Sequence, residues 1–442
     1  MPPRDLDHPA RERLLAELHA RPAPRVSAPA RAAHLALKES RYAANRDGDS
    51  DRALMRALTA SSESDLAVRH VELDVAGYRV VWENHTEYAA YTAVRRLDDG
   101  GHKGDAGSDD GGSDTIPEPF GEDPRALFAD EWLRQGVARR IAAVIVEVRA
   151  MPEDRESIPA LVRSWFASPP IISSVLGGTG ILAGDLTPDG DGYTRWMLFV
   201  DSSVGAGRTG RTLQRLFDLE TYRMLALLGF DRSHELSNRL NELDPDLTSL
   251  ITEMDDPTRP ADEMLHELLA LTARLEGLAM SHQFRFGATT AYASIVEDRL
   301  RALSEERFLG RQTLVEFLTR RYVPAIRTAQ SAEQRLDRML ERSRRAAELL
   351  RTRLDVARAA QNQALLRSMD ARSDLQLRLQ TTVEGLSVIA VSYYLLGLLG
   401  YVLAPLAEST GVDRTWLLAV LAPLVLIGVW LGLRQAKRRL RH

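Results

Sequence analysis

Cysteine is absent from the 442 residues, which removes disulfides, thiolate metal sites and cysteine nucleophiles and fits a reducing compartment. Lysine is almost missing too, since Lys38, Lys103 and Lys437 are the only three. The basic side is therefore nearly all arginine, scattered rather than gathered in a block with interleaved aromatics. With a net charge of −5, no nucleic-acid surface is expected. The stretch MPPRDLDHPARERLLAEL at the N-terminus carries acids and has no apolar segment of the kind a secretory leader needs. No H-E-x-x-H occurs, and no serine stands in a nucleophile-elbow context.

What is present is the composition of a mostly wet globular chain: 44% apolar, 27% charged, mean hydropathy −0.23. Its length suits two or three domains. The C-terminus departs from this average. Gly385 to Ala407 is an uncharged apolar run of 23 residues and Thr415 to Leu433 one of 19. At about 1.5 Å rise per residue each is long enough to cross a roughly 30 Å hydrocarbon layer. The connection ESTGVDR is short, so the two read as a transmembrane hairpin (385–433). Arg367, Arg372 and Arg378 precede the first run, while Arg434, Lys437, Arg438, Arg439 and Arg441 follow the second. The excess of positive charge on both flanks predicts that they face the cytoplasm, with a basic tail at 434–442, and Trp416 and Trp430 suit interfacial anchors.

Upstream, residues 328–382 hold no glycine or proline and predict one continuous helix within a stalk at 325–384. Leu336, Leu340, Ser343, Ala347, Leu350, Leu354, Ala357, Gln361, Ala364, Ser368, Ala371 and Leu375 alternate spacings of four and three without a charge among them, the pattern of a coiled-coil seam. Self-association through 336–375 and a helical hairpin within one chain, against the region between Pro260 and Pro324, both satisfy that pattern. Residues 231–324 read as a helical domain punctuated by Gly310 and Pro324. The N-terminal region, 1–230, is of another kind. VELDVAGYRVVWEN, IAAVIVEVRA, ISSVLGGTGILAGDL and YTRWMLFVDSS predict strands, DLTPDGDGYT a hairpin-type turn, and DPRALFADEWLRQGVARRI and GRTLQRLFDLETYRMLALLGF helices. The expected fold class is thus α+β: an α/β cytoplasmic domain, a helical stalk and a two-helix membrane hairpin. Residues 98–114 are glycine- and aspartate-rich, with too little apolar content to fold.

Four stretches attract a chemical reading. GAGRTGRT, residues 205–212, follows a strand and opens a helix, so the amides around Gly205, Gly207 and Gly210 suggest a phosphate cradle with Arg211 and Thr212. Against this, no parallel strand follows and arginine stands where a P-loop has lysine. ELHARP and WENHTEY offer Glu17, His19, Glu83, His85 and Glu87 as metal ligands or acid–base groups; the last three share a face if their segment is a strand. Alternating polar residues on a half-exposed strand explain the same letters. In the first apolar run, Ser392, Tyr393, Gly397, Gly400 and Tyr401 form a small and polar stripe, which suits helix packing or a pore lining.

The run from Leu349 to Val402, LLRTRLDVARAAQNQALLRSMDARSDLQLRLQTTVEGLSVIAVSYYLLGLLGYV, closely resembles a bacterial family of uncharacterised membrane-anchored proteins, domain of unknown function thirty-four twenty-two. ELHARP, WENHTEY, ETYRMLALLG and RRYVPAIRT resemble its other landmarks, so the likeness covers nearly the whole chain. It implies the membrane-anchored architecture and no activity. The plan of cytoplasmic α/β domain, long helix and C-terminal hairpin is also similar to that of CorA-type magnesium channels, although Gly400 is followed by Tyr401 and Val402 and not by the Met-Asn of their filter. The leading expectation is a non-enzymatic structural or regulatory protein of the bacterial inner membrane, homo-oligomeric and serving a cytoplasmic protein partner. A CorA-like divalent cation channel is the alternative, and a membrane-tethered nucleotide- or metal-dependent enzyme a further one. No cofactor is identified.

Overall fold

The computed structural model describes residues 8, 11, 23–39, 48–59, 70–97, 119–121, 125–403 and 414–439. Residues 98–114, the connection between the two apolar runs, and Glu17 and His19 lie outside the described residues. Nine strands make one sheet: β1 (Ala30–Lys38), β2 (His70–Val75), β3 (Tyr78–Asn84), β4 (Tyr88–Arg96), β5 (Arg139–Ala150), β6 (Ile171–Val175), β7 (Gly180–Pro188), β8 (Thr194–Val200) and β9 (Glu306–Arg307). Their order is β2-β3-β4-β1-β5-β8-β7-β6-β9. β5 and β8 run parallel and the other neighbours antiparallel.

Both faces of the sheet are covered, which is why its central strands carry no exposed alternation. On one face lie α1 (Gly48–Thr59), α2 (Asp130–Arg134) and α3 (Ile158–Arg163), whose Leu54, Met55, Trp132, Ile158 and Val162 pack with Leu35, Trp82, Tyr91 and Ile145. The other is covered by parts of three long helices, α4 (Ala206–Glu253), α5 (Ala261–Leu303) and the start of α6 (Leu314–Val402). Leu213, Phe217, Val296, Leu314 and Leu318 from these helices bury Val144, Val146, Trp196 and Leu198 of the sheet. A last helix, α7 (Arg414–Arg439), ends the described chain.

The strands read from the sequence are present as β2–β3, β5, β6–β7 and β8, with the turn at 185–194 between β7 and β8. Two others, β1 (ARAAHLALK) and β4 (YAAYTAVRR), have no β-branched run to announce them. Their alanines favour helix in isolation, and burial on both faces decides the outcome. The helix expected across 123–141 shrinks to one 3₁₀ turn and α2, because Arg139 already belongs to β5. Pro324 does not punctuate: α6 runs through it, held by the buried Leu318, Tyr322 and Ile326 around it.

The chain divides into two compact units, residues 1–253 with 267–345, and residues 254–266 with 346–442. Within the first, the start of the expected seam packs in the same chain. Leu336, Leu340 and Ser343 are buried, Ser343 Oγ and Thr272 Oγ1 lie 2.5 Å apart, and Arg335 donates to Asn241 at 2.6 Å and Asp244 at 3.0 Å. Within the second, Met264 and Leu350 are buried and Arg353 donates to the Met254 carbonyl and to Asp255. Beyond Leu350 the helix is bare: Val356, Leu365, Met369 and Leu375 are all more than half exposed.

Candidate functional site

Because side chains alternate along a strand, His34 of β1 faces the long helices while Ala33 and Leu35 face the other core. It is buried, stacked on Phe217 with centroids 4.8 Å apart. Its Nδ1 lies 2.8 Å from Thr92 Oγ1 and its Nε2 3.0 Å from Thr221 Oγ1. A neutral imidazole offers one donor and one acceptor, and two hydroxyls answer both. Burial pulls the His34 pKa down to about 4; Glu83 opposes this and His85 adds to it. The ring is a neutral tie between β1, β4 and α4.

WENHTEY begins in β3, with Trp82 in the other core; β3 ends at Asn84, the chain then turns through residues 85–87, and β4 starts at Tyr88. The segment is therefore not one strand, and the three side chains take separate roles. Glu83 sits 3.8 Å from the His70 Nδ1. His85 stacks on Tyr88, with centroids 4.2 Å apart. Glu87, buried, accepts from Arg285 Nη2 at 2.6 Å and from the Tyr292 hydroxyl at 3.0 Å, with Lys38 Nζ 3.9 Å away. Burial raises the Tyr88 and Tyr292 pKa values, Glu87 adding to the second. Burial also raises that of Asp218, although Arg299 donates to it at 2.7 Å. Among the described residues no group of three His, Asp or Glu is set to hold a metal.

The glycine-rich turn at 205–212 has a different occupant from a phosphate. Val26 N–H donates to the Ala206 carbonyl at 3.1 Å, and a Cβ on Gly210 would fall 1.5 Å from the Pro24 carbonyl oxygen. Gly210 thus lets the segment before β1 cross the first turns of α4. Thr212 turns its hydroxyl back to the Arg208 carbonyl, 3.1 Å away, while Gly205 and Gly207 have open space or only Arg211 beside them. Asp201, which takes the Ser203 amide at 3.0 Å and Arg155 at 3.0 Å, places an acid beside that turn.

At the apolar end of α6, Ser392 and Gly400 are buried, whereas Tyr393 (75% exposed), Tyr394 and Tyr401 (78%) point outward and Gly397 has nothing near it. The expected stripe is thus split between a covered and an open side. On α7 the less exposed residues Leu418, Leu421, Ala422, Val425 and Val429 recur at helical spacing. Both helices contain a stretch long and apolar enough to cross a membrane, hardly buried within the chain.

Sequence reasoning passed over Arg285 and Tyr292, which lie 198 and 205 positions from Glu87. Only Lys38, as one of three lysines, had a signal. No curated protein and no solved structure matches this chain, so nothing supports the likeness to CorA-type channels. The model of one family, described as a protein of unknown function (DUF3422), matches residues 6–440. Spanning almost every residue, from the segment before the sheet to the end of the last apolar helix, that match makes the chain a member of the DUF3422 family.

Proposed function

We propose that this protein is a scaffold or regulator anchored in the bacterial inner membrane by the ends of α6 and α7, with its sheet domain in the cytoplasm, and that it self-associates through α6. The observation that carries this reading is the bare stretch of α6 after Leu350. A single chain leaves the seam positions Ala357, Ala364, Ala371 and Leu375 in water, an arrangement that a second copy relieves by seam packing. The apolar stretches past Gly385 need lipid or other helices around them, and the arginines on both flanks support a cytoplasmic placement of both ends. Among the groups of the sheet domain, His34 is saturated and held neutral and Glu87 is saturated by Arg285 and Tyr292, which favours a structural over a catalytic role.

Native mass spectrometry of the complex extracted in detergent tests this. A defined homo-oligomer is expected, together with a cytoplasmic partner in pull-downs from membranes. A monomer without partners would overturn it, and ion flux through the purified protein in liposomes would replace it with the channel reading.

A further inference from the structure

Where β1 ends and β5 begins, beneath α4 and α5, the sheet unit holds a cavity of about 300 Å³. Lys38, Arg139, Arg140, Arg232 and Arg285 line it, against the carboxylates of Glu39 and Asp231. The strand register sets Lys38 directly opposite Arg139 and Leu37 opposite Arg140, with a bulge between Ala36 and Leu37. Like charges facing each other across a strand pair are destabilising, and irregularities of this sort gather beside binding sites.

Arg232 and Arg285 are ion-paired, with Glu235 and Glu87, whereas Arg139 and Arg140 are left without a counter-charge among the described residues. Arg139 donates to the Gly136 and Ala138 carbonyls, and Arg140 to the Asp191 carbonyl; neither has a carboxylate. Arg285 is only 7% exposed, spends Nη2 on Glu87, and has its buried Nη1 without a hydrogen-bond acceptor. A buried charged donor left unmade is costly, and an anion in the cavity would satisfy it. Arginine forks match the oxygens of phosphate in particular. Ile141 and Leu228 supply apolar wall, room for the carbon part of a small organic ligand.

We infer that this cavity binds the phosphate group of a small organic phosphate, held by Arg139, Arg140 and Arg285. The site takes no residue from the bare stretch of α6 and does not depend on self-association. Calorimetric titration of the full chain in detergent with inorganic phosphate and with glycerol 3-phosphate tests it, beside an arm with a short-chain phosphatidic acid. Saturable binding is expected, tighter for the ester than for inorganic phosphate and weakened about tenfold or more in the Arg139→Gln/Arg140→Gln variant. Both side chains are exposed, so that variant should fold, and an unchanged melting temperature without ligand checks it. Stronger binding of the phosphatidic acid would assign the phosphate to a lipid headgroup. No heat with any of the three, or equal heat from the double variant, would overturn the proposal.

Discussion

The buried imidazole of His34 makes a pH prediction at the scale of one residue. Its folded pKa, near 4, lies below the ordinary 6.5, so the unfolded chain takes up the proton first as pH falls. Stability from this group is complete above about 6.5 and is lost as pH drops toward 4, by about 3 kcal/mol in all. Urea unfolding at pH 7.5 and 4.5 reads it: the gap between wild type and His34→Gln should shrink by that amount, and a gap constant with pH would count against it. Glu87 makes a second prediction. Glu87→Gln leaves Arg285 buried opposite a neutral amide, at a cost of about 3 kcal/mol, visible as a lower urea midpoint with an unchanged slope.

At the scale of elements, α6 divides in two, one stretch packed against neighbouring helices and one left bare. Leu375→Glu, on the bare part, should dissociate the complex without changing helix content, whereas Arg358→Glu, off the seam, should leave it whole. Mass measurement with circular dichroism separates the two. The continuous helix was legible, because residues 328–382 hold no glycine or proline, and so was its uncharged register of twelve positions. What the letters do not carry is which partner fills it, and Leu336 to Ser343 find theirs inside the chain while Leu354 to Leu375 do not. β-branched strands such as β5 and β8 were legible for a similar reason. β1 and β4 were not, since alanines say helix until two layers of side chains close over them. The ties of Glu87 to Arg285 and Tyr292 span about 200 positions, and no local pattern encodes them.

The chain carries a sheet covered by helices on both faces and, at the ends of α6 and α7, stretches that are apolar on their outside. The lack of cysteine makes its orientation easy to measure. A single cysteine placed in the connection, Ser409→Cys, should react with an impermeant maleimide from outside intact spheroplasts, and one at Arg351→Cys only after lysis. The opposite pattern would reverse the assignment drawn from the flanking arginines.

Chain order adds a consequence of timing. Every strand of the sheet, and all the helix that packs on it up to Arg345, is synthesised before the first long apolar run at Gly385, about 40 residues later. At roughly 5–20 residues per second, the ribosome gives the sheet domain about 2–8 s of lead. The sheet is able to close over its alanine-rich centre before the first long apolar run emerges.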